Sequence, residues 1–249
     1  MTLPPPHEAA LLLDLDGTLL DIAPTPGTVH VPPGLAAALA ALRDALGGAL
    51  AIVTGRPIDQ VDGLLPGVAT AVAGEHGGAI RFRPGGEVTR AMLPDPPVSW
   101  VIDAARIVEQ HPGAMLEQKQ RGFVFHYRAV PEAGPALRDA AAALVAPEAD
   151  RFQVLSALMA WEVRPRGVDK GSAVQALMME APFAGRRPVF VGDDVTDEDG
   201  MEAARALGGA GLRVDQWFGT PGGVRGWLAA AAASPGAWPP LPGLAATYR

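Results

Sequence analysis

The sequence contains no cysteine, which excludes a disulfide framework and a metal site built from thiolates. It also lacks any run of 18 or more apolar residues, so a typical transmembrane helix is not predicted. The first residues, MTLPPPHE, have neither the charged nor the apolar region of a signal peptide. We therefore expect a cytoplasmic protein.

Basic residues are outnumbered by acidic ones, and lysine is rarer still. The net charge is -7 and the isoelectric point is about 5.2, which gives no basic surface for a nucleic acid partner. We expect a monomer that binds a small molecule, and neither nucleic acid nor a membrane. Of the 20 basic residues only Lys119 and Lys170 are lysines, so these two stand out as sites that need a compact positive charge.

Short apolar runs that alternate with helical patterns are what the chain has in abundance. The runs AALLLDLD, GALAIVTGR and RPVFVGDD are typical of strands buried on both faces of a parallel sheet. AVAGEHGGAIRF and GLRV are predicted as further strands, and PPGLAAALAALRDALGG, DKGSAVQALMME and TDEDGMEAARALGG as helices. This alternation predicts an α/β fold with a doubly wound, Rossmann-like parallel sheet, whose ligands bind at the carboxyl ends of the strands.

The middle of the chain has a different pattern. A helix near residues 100–110 precedes two strands, a second helix and two more strands, in the order αββαββ. That order predicts an antiparallel sheet with helices on one face, an α+β cap domain inserted into the core. We place the cap domain at residues 94–167 and the hydrolase core domain at 1–93 and 168–249. The Pro- and Gly-rich end, from residue 234, is predicted to be irregular.

Two aspartates follow the first buried strand in the stretch LLLDLDGTLLD. Asp14 and Asp16 are two positions apart, so in an extended segment their side chains would project to one side, about 6.5 to 7 Å apart. Such carboxylates repel each other, and a hard cation such as Mg²⁺ resolves the repulsion. Asp193, at the end of another apolar strand, can complete the metal site. In the same motif, GDDVTDED, Thr196 is predicted to cap the next helix, with Asp199 three residues on.

The residues at the other strand ends and helix starts suit phosphate chemistry. Asp14 is the candidate nucleophile, because a carboxylate can accept a phosphoryl group. Thr54 offers a hydroxyl after a buried strand, and Gly55 allows backbone N–H groups to approach an anion. Lys170 begins a helix and can neutralise the transferring group. Several such charges are needed together, because phosphate monoesters hydrolyse extremely slowly in water.

The motifs DLDGTL, TGR, DKG and GDDVTDED, in this order, resemble the haloacid dehalogenase superfamily of phosphotransferases. EQKQRGFVFHYR, WEVRPRGVDKG and FVGDDVTDEDGM narrow the resemblance to the trehalose-6-phosphate phosphatase family. The resemblance implies Mg²⁺-dependent hydrolysis of trehalose 6-phosphate through an aspartyl-phosphate. Asp14 would attack phosphorus, Asp16 would protonate the leaving oxygen and then activate water, and Asp14, Asp193 and the Asp16 carbonyl would hold the metal.

The resemblance also implies contacts beyond the reacting groups. Glu117 and Lys119 lie two positions apart on one predicted strand, Glu162 lies on another, and all three are expected to contact the sugar. Gly55 and Arg56 are also expected to bind substrate. Asp194 and Asp197 are expected to support the metal ligands. The chain departs from the family at Gly200, where a helix former is usual, which predicts a weaker helix there.

Other functions remain compatible with the motifs. The runner-up is a phosphatase of another sugar phosphate, such as sucrose, glucosylglycerate or mannosylglycerate phosphate, or a phosphohexomutase. A silent phospho-sugar sensor with the same fold is disfavoured, because Asp14, Asp16, Lys170 and Asp193 are all present. A dehalogenase would not need the acid that Asp16 supplies, and a P-type ATPase would need membrane spans.

Overall fold

A computed structural model describes residues 2–23, 29–68 and 70–243 of the chain. The chain divides into two compact units. The core unit comprises Met1–Ala91 and Val168–Arg249, and the inserted unit comprises Met92–Gly167. Among the described residues, no helix combines the length and the apolar character that crossing a membrane requires.

Eleven strands and eight α-helices are assigned within the described residues. The strands are β1 Ala9–Leu13, β2 Leu50–Val53, β3 Ala71–Gly74, β4 Ala79–Arg81, β5 Thr89–Arg90, β6 Met115–Lys119, β7 Gly122–His126, β8 Phe152–Ala157, β9 Ala160–Pro165, β10 Arg187–Gly192 and β11 Ala210–Arg213. The helices are α1 Leu35–Ala45, α2 Ile58–Leu64, α3 Val98–Glu109, α4 Gly134–Val145, α5 Lys170–Met178, α6 Thr196–Ala206, α7 Val214–Trp217 and α8 Pro221–Ala233.

The core unit is built around a sheet with the strand order β11-β10-β1-β2-β3-β4-β5. The first five strands in that order are parallel, and β4 and β5 are antiparallel to their neighbours. β1 lies in the middle, with Leu12 beside Phe190 of β10 and Leu11 beside Leu50 of β2. Every residue of β1 is buried, as expected for a parallel strand covered on both faces. The predicted fold class is confirmed.

The segment AVAGEHGGAIRF is not one strand, as the sequence suggested, but a hairpin. β3 and β4 pair antiparallel across a short 3₁₀ turn, Glu75–Gly77. All three turn residues have positive φ, 55° at Glu75, 54° at His76 and 98° at Gly77. Non-glycine residues rarely adopt this left-handed conformation, so the residue types at Glu75 and His76 did not indicate the turn, and the glycines around them were its only sign.

A helix absent from the sequence interpretation, α8, packs on the core unit. Thr220 accepts a hydrogen bond from the Gly223 N–H, and Pro221 occupies the first turn, which together start the helix. The buried side of the helix carries residues at helical spacing: Val224, Trp227, Leu228 and Ala231. The chain then continues without helix or strand to residue 243, as predicted for the tail; residues 244–249 lie outside the described residues.

Gly200 of α6 lies against Phe190 of β10. A Cβ added to Gly200 would be 2.6 Å from the ring, closer than side-chain contacts allow. The helix nevertheless extends through this position to Ala206. The glycine that the sequence marked as a weakness is therefore required by close packing between α6 and the sheet.

The inserted unit is an antiparallel sheet with the order β6-β7-β9-β8 and two helices on one face. Phe123 and Phe125 of β7 and Val163 of β9 point to that face, where they pack with Leu137 and Ala141 of α4. Trp100 of α3 meets Phe152 edge to face, with ring centroids 4.9 Å apart. The predicted order αββαββ is confirmed.

Candidate active site

The candidate nucleophile follows the central strand of the core sheet. Asp14 continues the line of β1, and its N–H donates to the carbonyl of Val191 in β10 at 3.0 Å. The N–H of Thr54, after β2, donates to the carbonyl of Ala73 in β3 at 2.9 Å. Because β1, β2, β3 and β10 are parallel, these residues lie at the same edge of the sheet, as does Asp193 after β10.

Lys170 joins two of the acidic groups at this edge. Its Nζ lies 2.7 Å from Oδ1 of Asp14 and 2.6 Å from Oδ1 of Asp197, and only 3% of the lysine side chain is exposed. The position is fixed by a capping box, in which Asp169 accepts from the Ser172 N–H and Ser172 Oγ accepts from the Asp169 N–H. One of the chain's two lysines is thus a buried cation held between two carboxylates.

Asp14, Asp193 and Asp197 form an acidic cluster in which one carboxylate oxygen from each lies within 4.8 Å of the others. Asp197, expected only to support the metal ligands, is a full member of this cluster. Its Oδ2 accepts from the N–H groups of Asp193 and Asp194, each at 3.0 Å, while its Oδ1 accepts from Lys170. With both oxygens engaged, Asp197 is better suited to holding Asp193 and Lys170 in place than to binding a metal.

Asp193 is oriented from two sides. Thr18 Oγ1 donates to its Oδ1 at 3.1 Å. Gly17, with φ of 82°, passes so close that a Cβ there would be 2.2 Å from Oδ2 of Asp193. Asp193 uses Oδ1 for Thr18 and Asp14 uses Oδ1 for Lys170, which leaves the Oδ2 atom of each for a further ligand.

The charges of the cluster are out of balance. Burial, together with Asp197, holds the pKa of Asp14 well above its usual range, although Lys170 acts to lower it. Burial raises the pKa of Asp193 to about 6, and Asp197 and Asp194 act in the same direction. Burial lowers the pKa of Lys170, but Asp14 and Asp197 raise it by more, so the ammonium group stays charged. A divalent cation would relieve this excess of negative charge.

The donor set fits Mg²⁺. The available ligands are carboxylate oxygens from Asp14 and Asp193, and hard oxygen ligands are those that Mg²⁺ prefers. Mg²⁺ commonly keeps several waters and takes only one or two carboxylates from a protein, so a small protein ligand set is sufficient.

The Asp16 carboxylate is not a member of the cluster formed by Asp14, Asp193 and Asp197. β1 ends at Leu13, and Asp16 belongs to a tight turn in which it bridges to Leu20. Its two carboxylate oxygens pair with the guanidinium of Arg56, Nε and Nη2 each at 2.6 Å. The two motif aspartates thus have separate cationic partners, Lys170 and Arg56. The predicted role of the Asp16 carbonyl as a metal ligand stays a prediction.

The Thr54–Gly55–Arg56 turn is packed against the β3–β4 hairpin. Thr54 Oγ1 accepts from the Arg56 N–H at 3.2 Å, and the Arg56 carbonyl accepts from the Glu75 N–H at 3.0 Å. A Cβ on Gly55 would be 2.5 Å from Nε2 of His76. His76 was not singled out from the sequence, and the only signal for it was the cluster of glycines around it.

The predicted cap of α6 is wrong. Val195 occupies the cap position, and Thr196 lies inside the helix. Oδ1 of Asp194 accepts from the N–H groups of Thr196 and Asp197 and from the Thr196 hydroxyl. Burial raises the pKa of Asp194, but Lys170 and these hydrogen bonds lower it by more. Asp194, not Thr196, satisfies the first turn of the helix.

Arg213 is a further residue that sequence reasoning missed. Its Nη2 donates to the Asp193 carbonyl at 2.8 Å, and its Nη1 donates to Oε1 of Glu198 at 2.5 Å. It therefore holds the loop after β10 against the start of α6. An arginine at the end of the short strand GLRV was a weak signal, because arginine is the usual cation throughout this chain.

The residues expected to contact sugar lie in the inserted unit, on the face of its sheet opposite the helices; we call this the open face. Glu117 pairs across the sheet with Val124, and Val124 with Glu162. Lys119 donates to Oε1 of Glu117 at 2.5 Å, and Nε2 of His126 lies 2.8 Å from Oε2. Burial raises the pKa of Glu117, but the bonds to His126 and Lys119 outweigh it and bring the pKa to about 2.

Comparison with known proteins gives consistent matches. Residues 12–217 match the family model described as trehalose-phosphatase. The chain is 38% identical over 208 residues to the trehalose-6-phosphate phosphatase of Escherichia coli (strain K12), covering 82% of this chain and 77% of that protein. It is 38% identical over 205 residues to a probable trehalose-phosphate phosphatase of Sinorhizobium fredii, with the same coverage.

Solved structures match the fold. The C-terminal domain of the Candida albicans trehalose-6-phosphate phosphatase superposes with a TM-score of 0.76 at 21% identity, covering 91% of this chain and 93% of that one. A haloacid dehalogenase-like hydrolase from Bacteroides thetaiotaomicron has a TM-score of 0.57 at 16% identity, covering 79% of this chain and 85% of that one. At these identities the likeness concerns the fold alone.

Proposed function

The chain belongs to the trehalose-phosphatase family, a family of phosphoric monoester hydrolases, and from this premise we propose that it hydrolyses trehalose 6-phosphate to trehalose and inorganic phosphate. The observation that carries the proposal is the meeting of Asp14, Lys170 and Asp193 at the carboxyl edge of the core sheet. A nucleophile, a buried cation and a candidate metal ligand are the parts that phosphoryl transfer to a carboxylate needs.

In the proposed reaction a carboxylate oxygen of Asp14 forms a bond to phosphorus, and the bond between phosphorus and the sugar oxygen breaks. Asp16 gives a proton to that leaving oxygen. Asp16 then takes a proton from water, whose oxygen attacks phosphorus, and this step releases phosphate and restores Asp14. Mg²⁺, held by Asp14 and Asp193, would supply positive charge that offsets the negative charge of the phosphoryl group.

Lys170 and Arg56 have distinct parts in this proposal. Lys170 holds the Asp14 carboxylate in one orientation and offsets charge close to the reacting phosphorus. Arg56 holds Asp16, so Asp16 must exchange its contact with Arg56 for the leaving oxygen during turnover. Thr54 and Gly55, in the adjoining turn, are proposed to receive the phosphate oxygens.

We propose that the inserted unit is the cap domain, which the sequence places at residues 94–167. We propose further that this domain binds the sugar part of the substrate. Glu117, Lys119 and Glu162 share its open face, where carboxylates accept from hydroxyl groups and the lysine donates to them. The cytoplasmic location and the monomeric state expected from the sequence stay predictions.

Release of inorganic phosphate from a panel of sugar phosphates tests the function. Trehalose 6-phosphate should give a kcat/KM at least tenfold above sucrose 6-phosphate, glucosylglycerate phosphate, mannosylglycerate phosphate and glucose 6-phosphate. Conversion of glucose 1-phosphate to glucose 6-phosphate, followed in parallel, detects a mutase. A higher kcat/KM for another member of the panel would make that compound the substrate. Conversion of one glucose phosphate to the other without release of phosphate would make the protein a mutase.

Removal of metal should abolish turnover. We expect EDTA treatment to lower kcat for trehalose 6-phosphate at least about a hundredfold, because the clustered carboxylates lose the cation that offsets their charge. Added Mg²⁺ should restore activity. Ca²⁺ should restore little, because it is larger and accepts looser geometry. Unchanged activity after dialysis against EDTA, with residual metal measured by mass spectrometry, would contradict a metal-dependent mechanism.

A further inference from the structure

Arg164, near the end of β9, is a buried cation that forms no ion pair with any of the described residues. Only 8% of the residue is exposed. Its Nε and Nη1 atoms are buried and have no hydrogen-bond partner among the described residues. Buried charges in proteins are normally paired and hydrogen-bonded, because an unpaired one is costly. The Nε and Nη1 atoms of Arg164 therefore remain able to donate hydrogen bonds to a ligand.

Strand geometry places Arg164 on the open face. Side chains two positions apart along a strand project to the same face, so Arg164 lies beside Glu162, while Val163 between them points to the helices. The neighbouring position on β7 is Gly122, since a Cβ there would be 3.4 Å from the Arg164 Cα. Gly122 pairs in turn with Lys119 of β6. Because glycine has no side chain, none from β7 stands between Lys119 and Arg164.

The neighbours of Arg164 have partners of their own. Gln153, which pairs with Arg164 across the sheet, accepts from Nη1 of Arg166 through its Oε1 at 3.2 Å. Lys119 is bound to Glu117, and His126 contacts the second oxygen of the same carboxylate. The guanidinium of Arg164 is thus a donor on a face where the other cations already have acceptors.

We propose that Arg164 is a substrate-binding residue whose guanidinium donates to two adjacent oxygens of the bound sugar. The flat fork of arginine presents parallel N–H groups, which match a pair of neighbouring acceptor oxygens, such as vicinal hydroxyl groups of a pyranose ring. The proposal rests on the proposed function, and it adds a donor to Glu117, Lys119 and Glu162.

The carboxylates on the open face favour a sugar over an anion as the partner of Arg164. Glu117, whose pKa is lowered to about 2, is ionised at any physiological pH. Glu162 lies two positions from Arg164 on the same strand and face. Lys119 offsets the charge of Glu117, but the Glu162 carboxylate beside Arg164 opposes an anionic ligand, whereas a neutral hydroxyl group accepts from the arginine and donates to a carboxylate at once.

Arg164→Met tests the inference, because it removes the donors and keeps most of the apolar stem. We expect kcat/KM for trehalose 6-phosphate to fall about ten- to a hundredfold, mostly through KM, as for loss of a charged hydrogen bond. Turnover of p-nitrophenyl phosphate, which has no sugar, should stay within about twofold. Arg164→Lys should lose less than Arg164→Met. The exposed Arg138→Met, on α4, is the matched control and should match wild type on both substrates.

Thermal unfolding separates binding from a structural role. Without ligand, Arg164→Met should melt at or above the wild-type temperature, because it removes an unpaired buried charge. Trehalose should raise the melting temperature of wild type but not of the variant, whereas inorganic phosphate should raise both alike.

Four outcomes would overturn the inference. A lower melting temperature with parallel losses on both substrates would make Arg164 structural. Loss of the phosphate shift would make it an anion site. If wild type is active and Arg164→Met hydrolyses trehalose 6-phosphate normally, Arg164 does not bind substrate, and the proposed function is unaffected. If wild type does not hydrolyse trehalose 6-phosphate and trehalose does not raise its melting temperature, both the proposed function and the proposed role of Arg164 are wrong.

Discussion

Asp14→Asn should lower kcat for trehalose 6-phosphate by at least about a thousandfold while the fold is kept. Asparagine has the shape of aspartate but no anionic oxygen, so no bond to phosphorus forms. The fold should survive, because the substitution removes one of several crowded carboxylates and Lys170 keeps Asp197 as a partner. Phosphate release and urea unfolding, measured in the same Mg²⁺ buffer, check the two halves of the expectation.

The matched control for this variant is Asp44→Asn, at an exposed aspartate whose ion-pair partner is the neighbouring Arg43. It should leave both turnover and stability unchanged. Activity of Asp14→Asn within tenfold of wild type, in protein shown by mass spectrometry to be free of deamidation, would remove Asp14 as the nucleophile.

Elements with one dominant signal could be predicted from the sequence. β1 is a run of apolar residues with no interruption, and β10 carries no charged residue after the exposed Arg187, so the burial of both in a parallel sheet follows from their composition. α8 could not be predicted so simply, because its three glycines mask the helical spacing of its apolar residues. One of these, Gly223, is required by packing, since a Cβ there would be 2.1 Å from the Phe218 carbonyl oxygen.

Within the candidate site, position along the chain could be predicted but pairing could not. The sequence places Asp14, Thr54, Lys170 and Asp193 at strand ends or helix starts, and topology then gathers them at one edge. It contains no sign that Asp16 pairs with Arg56, 40 positions away. Such a pair depends on the direction in which a turn leaves the strand, which residue type and spacing do not specify.

The cap of α6 illustrates the same limit at short range. Asp194 and Thr196 are both good capping residues, and the sequence offers either. The structure selects Asp194, whose Oδ1 accepts three hydrogen bonds. Asp197 then turns towards the backbone of the preceding loop and Lys170, where its charge becomes part of the acidic cluster.

The other large effect is expected from Lys170→Met. In metal-free buffer at pH 7.5 the variant should lose about 3 to 5 kcal/mol of unfolding free energy, because Asp14 and Asp197 remain buried without their cation. Turnover should fall at least about a hundredfold. The chain's other lysine gives a matched control for stability: Lys119→Met removes a partly exposed pair and should cost no more than about 1 kcal/mol.

The pH dependence of stability and a second substitution identify the cause of the stability loss in Lys170→Met. Burial and neighbouring carboxylates hold the pKa of Asp14 and of Asp193 above their usual range, so the folded protein binds more protons than the unfolded chain, and its stability rises as the pH falls from 7.5 towards 5. Without Lys170 this rise should be steeper, so the gap between variant and wild type should narrow at pH 5.

Lys170→Met/Asp197→Asn should recover part of the lost stability at pH 7.5, because one uncompensated charge is gone, but it should recover no activity, because Asp14 still lacks its cation. Urea unfolding in EDTA at pH 7.5 and pH 5 measures the stability of wild type and of both variants. Phosphate release in Mg²⁺ measures their activity. A stability loss that is equal at both pH values and is not relieved by Asp197→Asn would mean that Lys170 acts through packing of its stem, and the charge balance argued for this site would be wrong.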